Sequence, residues 1–265
     1  MGTIKNRRFA QKQLKIRDRF ERMYIPKFKR SIKEQYKAVN NMATVFTPEQ
    51  LLGAIDGLVR PTPIAETFFS YYKVSSPIFA NEQLKFIGSE KAFGKPYKTK
   101  QDEELVNDLF SEQMVNYARL NAGSRIVSIT SKTAKDIRGA VESAVLQASE
   151  EGLSIGQTQK LIQKFLNDDF KAVSRYRAEV IARTEINTSA NVASDFAAES
   201  TGLTLMKAWE TSGLKGIRST HIQAEGEGQI PKHQAHINGL MFPGDPKGTA
   251  EEVINCRCTE LYFPV

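Results

Sequence analysis

Apolar positions recur at helical spacing along most of this chain, and the period changes near residue 203. Phe28, Ile32, Tyr36 and Val39 fall three and four apart, and Phe20, Met23 and Tyr24 form an earlier cluster on the same period. That spacing predicts an amphipathic helix, which Pro26 is expected to break or to start. Between 99 and 202 the pattern predicts four helices. Leu105, Val106, Leu109, Phe110, Met114 and Tyr117 mark the first, closed by Asn121 and Gly123. Ile137, Val141, Ala144, Val145 and Ala148 mark the second, ending at Glu150-Glu151-Gly152. A short third helix holds Leu161, Ile162, Phe165 and Leu166, and the longest runs from near Ala172 to Gly202. On that last helix Arg183, Asn187 and Asn191 form a polar stripe at i, i+4 and i+8, which by itself reads as a solvated face.

Two segments lack this regularity. From 41 to 98, Thr47-Pro48-Glu49-Gln50 signals a capped short helix. Pro61, Pro63, Pro77 and Pro96, with Gly53, Gly57, Gly88 and Gly94, then punctuate the chain too often for long elements. Phe68, Phe69, Tyr71, Tyr72, Phe79, Phe86 and Phe93 load the same stretch with aromatics. Lys73, Lys85 and Lys91 are too few for a base-stacking platform, so packing against neighbours is the expectation. After Gly202, Leu203 to Thr211 reads as a strand, followed by a Gly- and Pro-rich tail. The expected class is α+β: a predominantly helical N-terminal and central part with a small, loop-rich, strand-containing C-terminal module. The expected organisation is a basic helical arm (1–40), an irregular aromatic-rich region (41–98), a helical domain (99–202) and a C-terminal module (203–265).

Composition is ordinary for a globular chain of 265 residues, which excludes wholesale disorder and collagen-like structure. No apolar run approaches the roughly 20 residues that span a bilayer, and no secretory h-region follows the basic N-terminus. A soluble, cytoplasmic protein without membrane contact is therefore expected. The net charge of +7 is unevenly placed. Residues 1–37 hold thirteen Lys or Arg against Asp18, Glu21 and Glu34, so the rest of the chain is mildly acidic. Such asymmetry points to a polyanionic or acidic partner. An amphipathic basic helix suits nucleic acid, a membrane surface or a partner's groove. The candidate phosphate-contacting residues are Arg7, Arg8, Lys12, Lys15, Arg17, Arg19, Arg22, Lys27, Lys29 and Arg30. With no base-reading motif, binding to double-stranded DNA would be non-specific and steeply salt-dependent.

All three histidines lie between 221 and 236, and both cysteines are Cys256 and Cys258. On an extended segment residues two apart project to one face, so both thiols could share an ion. Zinc takes Cys and neutral His in a tetrahedron, and a loop-rich tail with little core gains from such a staple. The expected structural ligands are Cys256, Cys258 and His221, with His236 ahead of His233 as the fourth. The alternative is a pair of reduced core cysteines with surface histidines. A Cys256–Cys258 disulfide would close a strained ring.

Ile181-Ala182-Arg183-Thr184-Glu185, Ala190-Asn191, Lys207-x-Trp209, Arg218-x-x-His221 with Gly226, Pro243-Gly244-Asp245 and Asn255-Cys256-Arg257-Cys258 occur in that order. This ordered set, covering roughly 130–265, resembles the phage Mu F-like minor head protein family, the phage head morphogenesis proteins. It departs from the family pattern at Leu214-Lys215-Gly216 and at 226–228. The resemblance implies a non-catalytic component of the virion head, present in the host cytoplasm during assembly. It implies portal protein and other head proteins as partners, and a part in handling packaged DNA. It also implies that the motif residues Arg183, Glu185, Asn191, Trp209 and Arg218 are structural, the polar stripe anchoring the C-terminal module on the long helix. The rival reading is a metal-dependent nuclease built on the His/Cys cluster.

Overall fold

The computed structural model describes residues 4–88 and 100–265, without the side chains of 100–106 and 109. Among the described residues eight helices and three strands follow in the order α1 (Ile4–Met42), α2 (Pro48–Leu58), α3 (Thr62–Ile87), α4 (Lys100–Asn121), α5 (Gly123–Glu150), α6 (Ile155–Glu199), β1 (Leu205–Glu210), α7 (Ser219–Gly226), β2 (Ile230–Pro231), α8 (Ala250–Val253) and β3 (Thr259–Pro264). The fold is α+β and mostly helical. The sheet among the described residues is antiparallel in the order β2-β1-β3, with Trp209 opposite Glu260 and Met206 opposite both Phe263 and Pro231.

Helix α1 runs through Pro26 without a break, contrary to the expectation from sequence. The reason is the stripe around it: Phe20, Tyr24, Phe28, Ile32, Tyr36 and Val39 are all buried. An interior proline costs about 3 kcal/mol, whereas each such side chain contributes about 1.5–3 kcal/mol on burial. Pro26 and Arg22, whose carbonyl loses its amide partner, both lie on the exposed face, where solvent satisfies that carbonyl.

The region expected to be irregular is instead helical over α2 and α3. Thr47 caps α2 with a reciprocal box to Gln50. In α3, Pro77 frees the carbonyl of Lys73, and Ser111 Oγ of α4 stands 3.1 Å from that oxygen while also lying 2.7 Å from Asn107 O. Two of the seven aromatics pack on each other at the Tyr71–Tyr72 pair, 5.8 Å between centroids. Phe93, with Lys91, Gly94 and Pro96, lies outside the described residues. The short third and long fourth helices expected over 161–202 are one helix, α6; the polar run Asn167-Asp168-Asp169 continues it rather than breaking it.

The chain forms two compact units, each discontinuous in sequence: Met1–Met23, Phe69–Asn121 and Ala182–Val265 make one, and Tyr24–Phe68 with Ala122–Ile181 the other. In the second unit Phe28 meets Phe68 edge-on at 5.4 Å, and Leu51 and Ile55 bury the apolar side of α2. Tyr36 donates to Asp169 at 2.5 Å, and Arg177 bridges Asp136 at 2.8 Å. The first unit packs Phe20 on Tyr71 and Phe79, and Tyr117 on Tyr72 and Phe196. Its α6 portion is small-sided: Ala182, Ala190, Ala193, Ala197 and Ala198 are buried, and Ser189 comes within 3.1 Å of Ser75. The C-terminal module closes this same unit.

Candidate functional site

The polar stripe on α6 is interior, not solvated. From Thr184 to Ser194 every residue is buried, and the helix serves as a post on which the loops of the C-terminal module are tied. Asn191 is the principal tie. Its Nδ2 lies 2.8 Å from Pro243 O, 3.2 Å from Cys258 O and 3.1 Å from Asn187 O. Its Oδ1 accepts from Glu260 N–H at 3.0 Å and from Arg17 Nη2 at 3.3 Å. The Pro243-Gly244-Asp245 turn approaches the helix closely. Gly244 has φ +84°, and a Cβ there would stand 2.8 Å from Thr188 Oγ1, whose hydroxyl donates to Gly244 O. Asp245 is buried and holds the turn by accepting from Met241 N–H and Lys247 N–H, each at 2.9 Å.

Arg17 joins this network rather than a solvent face. Its Nη1 donates to Asn187 Oδ1 at 2.6 Å and to Cys258 O at 2.9 Å, and burial pushes its pKa down to about 10. That corrects its place among the phosphate-contacting candidates: a guanidinium 2% exposed cannot reach a phosphate. Arg7, Arg8, Lys12, Lys15, Arg19, Arg22, Lys27, Lys29 and Arg30 are exposed along α1, with Lys12 paired to Glu82 and Lys27 standing over the Tyr24 ring. Of the motif residues, Arg183 reaches Glu21 at 3.5 Å, and buried Glu185 accepts from Tyr72 OH at 3.2 Å. Arg218 caps the carbonyl of Ile254. The contact from this part of α6 to the Cys-x-Cys segment comes instead from Thr184, which accepts from Asn255 N–H at 3.1 Å.

The module's minicore consists of Trp209, Ala224, Leu240, Cys256 and Cys258. The two thiols lie together, while Arg257 between them reaches Asp18 and Glu21 at 2.8 and 2.6 Å. Burial raises the Glu21 carboxyl, and the Arg257 charge opposes that rise. Helix α7 delivers His221, 1% exposed, whose Nδ1 lies 3.4 Å from Cys258 Sγ and 3.7 Å from Cys256 Sγ. Its Nε2 meets Glu252 Oε2 at 2.8 Å, and the same carboxylate accepts from Thr220 Oγ1 at 3.1 Å. The Cys256 thiol is held well below its ordinary range, chiefly by the Cys258 thiol that hydrogen-bonds to it. The Cys258 thiol is pushed well above, by its hydrogen bond to Cys256 and by burial.

His221, Cys256 and Cys258 are thus brought together as potential ligands of one ion. His236 is not among them, which corrects the expected fourth ligand. Its Nδ1 faces Glu227 at 3.2 Å and its Nε2 faces Glu260 at 3.0 Å, so both ring nitrogens are occupied. The His236 and His221 rings pack edge-on against Trp209 at 5.2 and 4.8 Å. Glu260 is fully buried, and burial raises its carboxyl pKa against the opposing His236 contact. His233 is exposed.

Sequence reasoning missed Glu252, Thr184 and the inward role of Arg17. The Arg17 signal was present: 17, 20, 24 and 28 continue the apolar stripe at helical spacing. Thr249 before Ala250-Glu251-Glu252 is an N-cap pattern that marks α8, although nothing in it connects Glu252 to His221.

A cleft of about 330 Å³ reaches the cluster, lined among others by Arg183, Lys215, Arg218, Asn255 and the two cysteines. Asn255 has φ 60°, and its buried Oδ1 lacks a hydrogen-bond partner. No helix of the described residues is long and apolar enough to cross a membrane.

Comparison with known proteins agrees with the ordered motifs. An uncharacterized protein, YqbB, of Bacillus subtilis (strain 168) is 26% identical over 166 residues, covering 59% of this chain and 50% of that protein. The chain thus spans about half the length of this curated relative. No solved structure matches the chain significantly. Residues 143–261, which hold the last eight residues of α5, all of α6 and the module tied to it as far as Leu261, match the family described as Phage Mu protein F like protein, the phage head morphogenesis family that the motifs resemble.

Proposed function

We propose that this chain is a minor head protein of a phage, acting at the portal vertex in head morphogenesis and in the handling of packaged double-stranded DNA. The observation that carries the reading is the family match, which coincides with the α6 post and the module it anchors. The exposed cations of α1 support the DNA component. Nine of the ten candidates face solvent, and no base-reading device accompanies them. Portal protein and other head proteins are the partners that the family implies, and the virion head is the destination.

Binding of the full chain to duplex DNA should weaken steeply with salt, the slope falling by about 1 for each phosphate contact removed. Replacing Arg8, Lys15, Arg22 and Lys29 together by glutamine should reduce both affinity and slope. Arg17 must be left in place, because its loss perturbs the fold. An unchanged salt slope in the fourfold variant would refute the DNA component. Co-expression with the cognate portal should yield a complex that survives size exclusion, and separate elution at micromolar concentration would refute the portal component. The nuclease reading draws on the cleft that reaches the His/Cys cluster. It requires metal-dependent cleavage of plasmid DNA that disappears in His221→Ala.

A further inference from the structure

Two sulfurs and one imidazole nitrogen converge in the C-terminal module, and hydrogen bonding alone does not account for the convergence. A ring nitrogen carries one proton or one lone pair, directed along one axis, and serves a single partner well. Here Nδ1 of His221 lies 3.4 and 3.7 Å from two sulfurs, and the three atoms fall within 4.8 Å of one another. Tetrahedral zinc, with Zn–S near 2.3 Å and Zn–N near 2.0–2.1 Å, separates a nitrogen from a sulfur ligand by about 3.6 Å. The two observed separations bracket that value.

The surroundings also fit an ion. Glu252 accepts from Nε2 of His221 at 2.8 Å, which fixes the tautomer with Nδ1 free to coordinate, as in carboxylate–histidine–metal arrangements. Cys258 N–H points at Cys256 Sγ at 3.5 Å, a donor suited to a thiolate. Among the described residues no fourth His, Cys or carboxylate joins the cluster, yet the cleft opens onto it, and the partnerless Asn255 Oδ1 lines that cleft.

We propose that His221 Nδ1, Cys256 Sγ and Cys258 Sγ bind one zinc ion, oriented by Glu252, whose fourth position faces the cleft and holds an exchangeable water hydrogen-bonded to Asn255. Lys215 and Arg218 on the cleft wall favour replacement of that water by a small anion. The site is independent of the DNA and portal reading. A competing use of the same atoms, with Cys256 as nucleophile, His221 as base and Glu252 as orienter, leaves unexplained why a second sulfur crowds the same nitrogen.

The test uses the full chain purified without chelator. Zinc should be present near one ion per chain. Cobalt exchanged into the site should give thiolate-to-metal charge transfer and the intense visible bands of a tetrahedral ion. Azide should shift those bands saturably, and Glu252→Gln should lower zinc affinity about 10–100-fold while keeping the tetrahedral spectrum. His236→Gln should leave the metal content unchanged. Metal-free protein that gives no cobalt spectrum overturns the site. A cobalt spectrum indifferent to azide overturns the exchangeable position, and zinc lost in His236→Gln overturns the ligand assignment. Rapid alkylation of Cys256 in protein lacking zinc, slowed in Glu252→Gln, would favour the nucleophile instead.

Discussion

Asn191→Ala should unfasten the C-terminal module from α6. The side chain is fully buried and, among the described residues, is the one side-chain partner of two backbone groups: Pro243 O, through Nδ2 at 2.8 Å, and Glu260 N, through Oδ1 at 3.0 Å. Cys258 O keeps Arg17 Nη1 at 2.9 Å, so it is not orphaned. Each buried group left without a partner costs about 1–3 kcal/mol, so two orphans predict a loss of about 2–6 kcal/mol. Set against the roughly 5–15 kcal/mol of a typical domain, that is a large fraction. Trp209 is the single tryptophan, buried beside His221 and His236, and its fluorescence reports the module directly. Urea titration followed by tryptophan emission and by far-UV circular dichroism should show the Trp209 transition moving to markedly lower denaturant. A Trp209-reported unfolding free energy lowered by less than about 0.5 kcal/mol, the range of an ordinary surface substitution, would refute the anchoring role of Asn191.

Three further outcomes follow from the same structure. Gly244→Ala should cost about 2–5 kcal/mol, combining a left-handed backbone at about 1–2 kcal/mol with overpacking at about 1–3. Thr188→Ala should recover part of it, and zero coupling in the double-mutant cycle would refute the close approach. Ser111→Ala should cost about 1–3 kcal/mol in the native background but much less in Pro77→Ala, where the restored amide reclaims Lys73 O. Strictly additive effects in urea unfolding would count against that account. Burial raises the Glu260 carboxyl above 4.5, so the folded state holds a proton that the unfolded state releases. The associated stability is fully present below 4.5 and is lost as pH rises through the folded value. Melting measured against pH should therefore show wild type losing stability relative to Glu260→Gln from 4.5 upward, and parallel profiles would contradict it.

The helical character and the C-terminal strand were legible because burial follows the period of the chain. Phe28, Ile32, Tyr36 and Val39 are the α1 core that their spacing predicts. What misled was local punctuation. Pro26, Pro77 and the Asn167-Asp168-Asp169 run all disfavour helix, yet tertiary packing overrides propensities of this size, and in one case a distant residue, Ser111, supplies the missing donor. The stripe on α6 read as solvated because asparagine and threonine are usually exposed. Its burial depends on Pro243, Cys258 and Glu260, far along the chain. Sequence clustering brought His221, Cys256 and Cys258 to attention, but clustering cannot distinguish a ligand from a histidine already claimed by Glu227 and Glu260, as His236 is.

The burial of Arg17 has a consequence for the order in which the molecule can be built. Its acceptor at Cys258 O is 241 residues further along the chain. At roughly 5–20 residues per second, the ribosome delivers that carbonyl about 10–50 s after the arginine. Asn187 and Asn191 are made earlier, but until Cys258 follows them the guanidinium lacks its carbonyl acceptor, and the N-terminal turns of α1 stay hydrated on the side that later becomes dry. The unit is sealed by contacts of long sequence separation, which form slowly because loop closure precedes any reward. A chain cut short before residue 258 therefore lacks the carbonyl that completes the Arg17 network of its first unit.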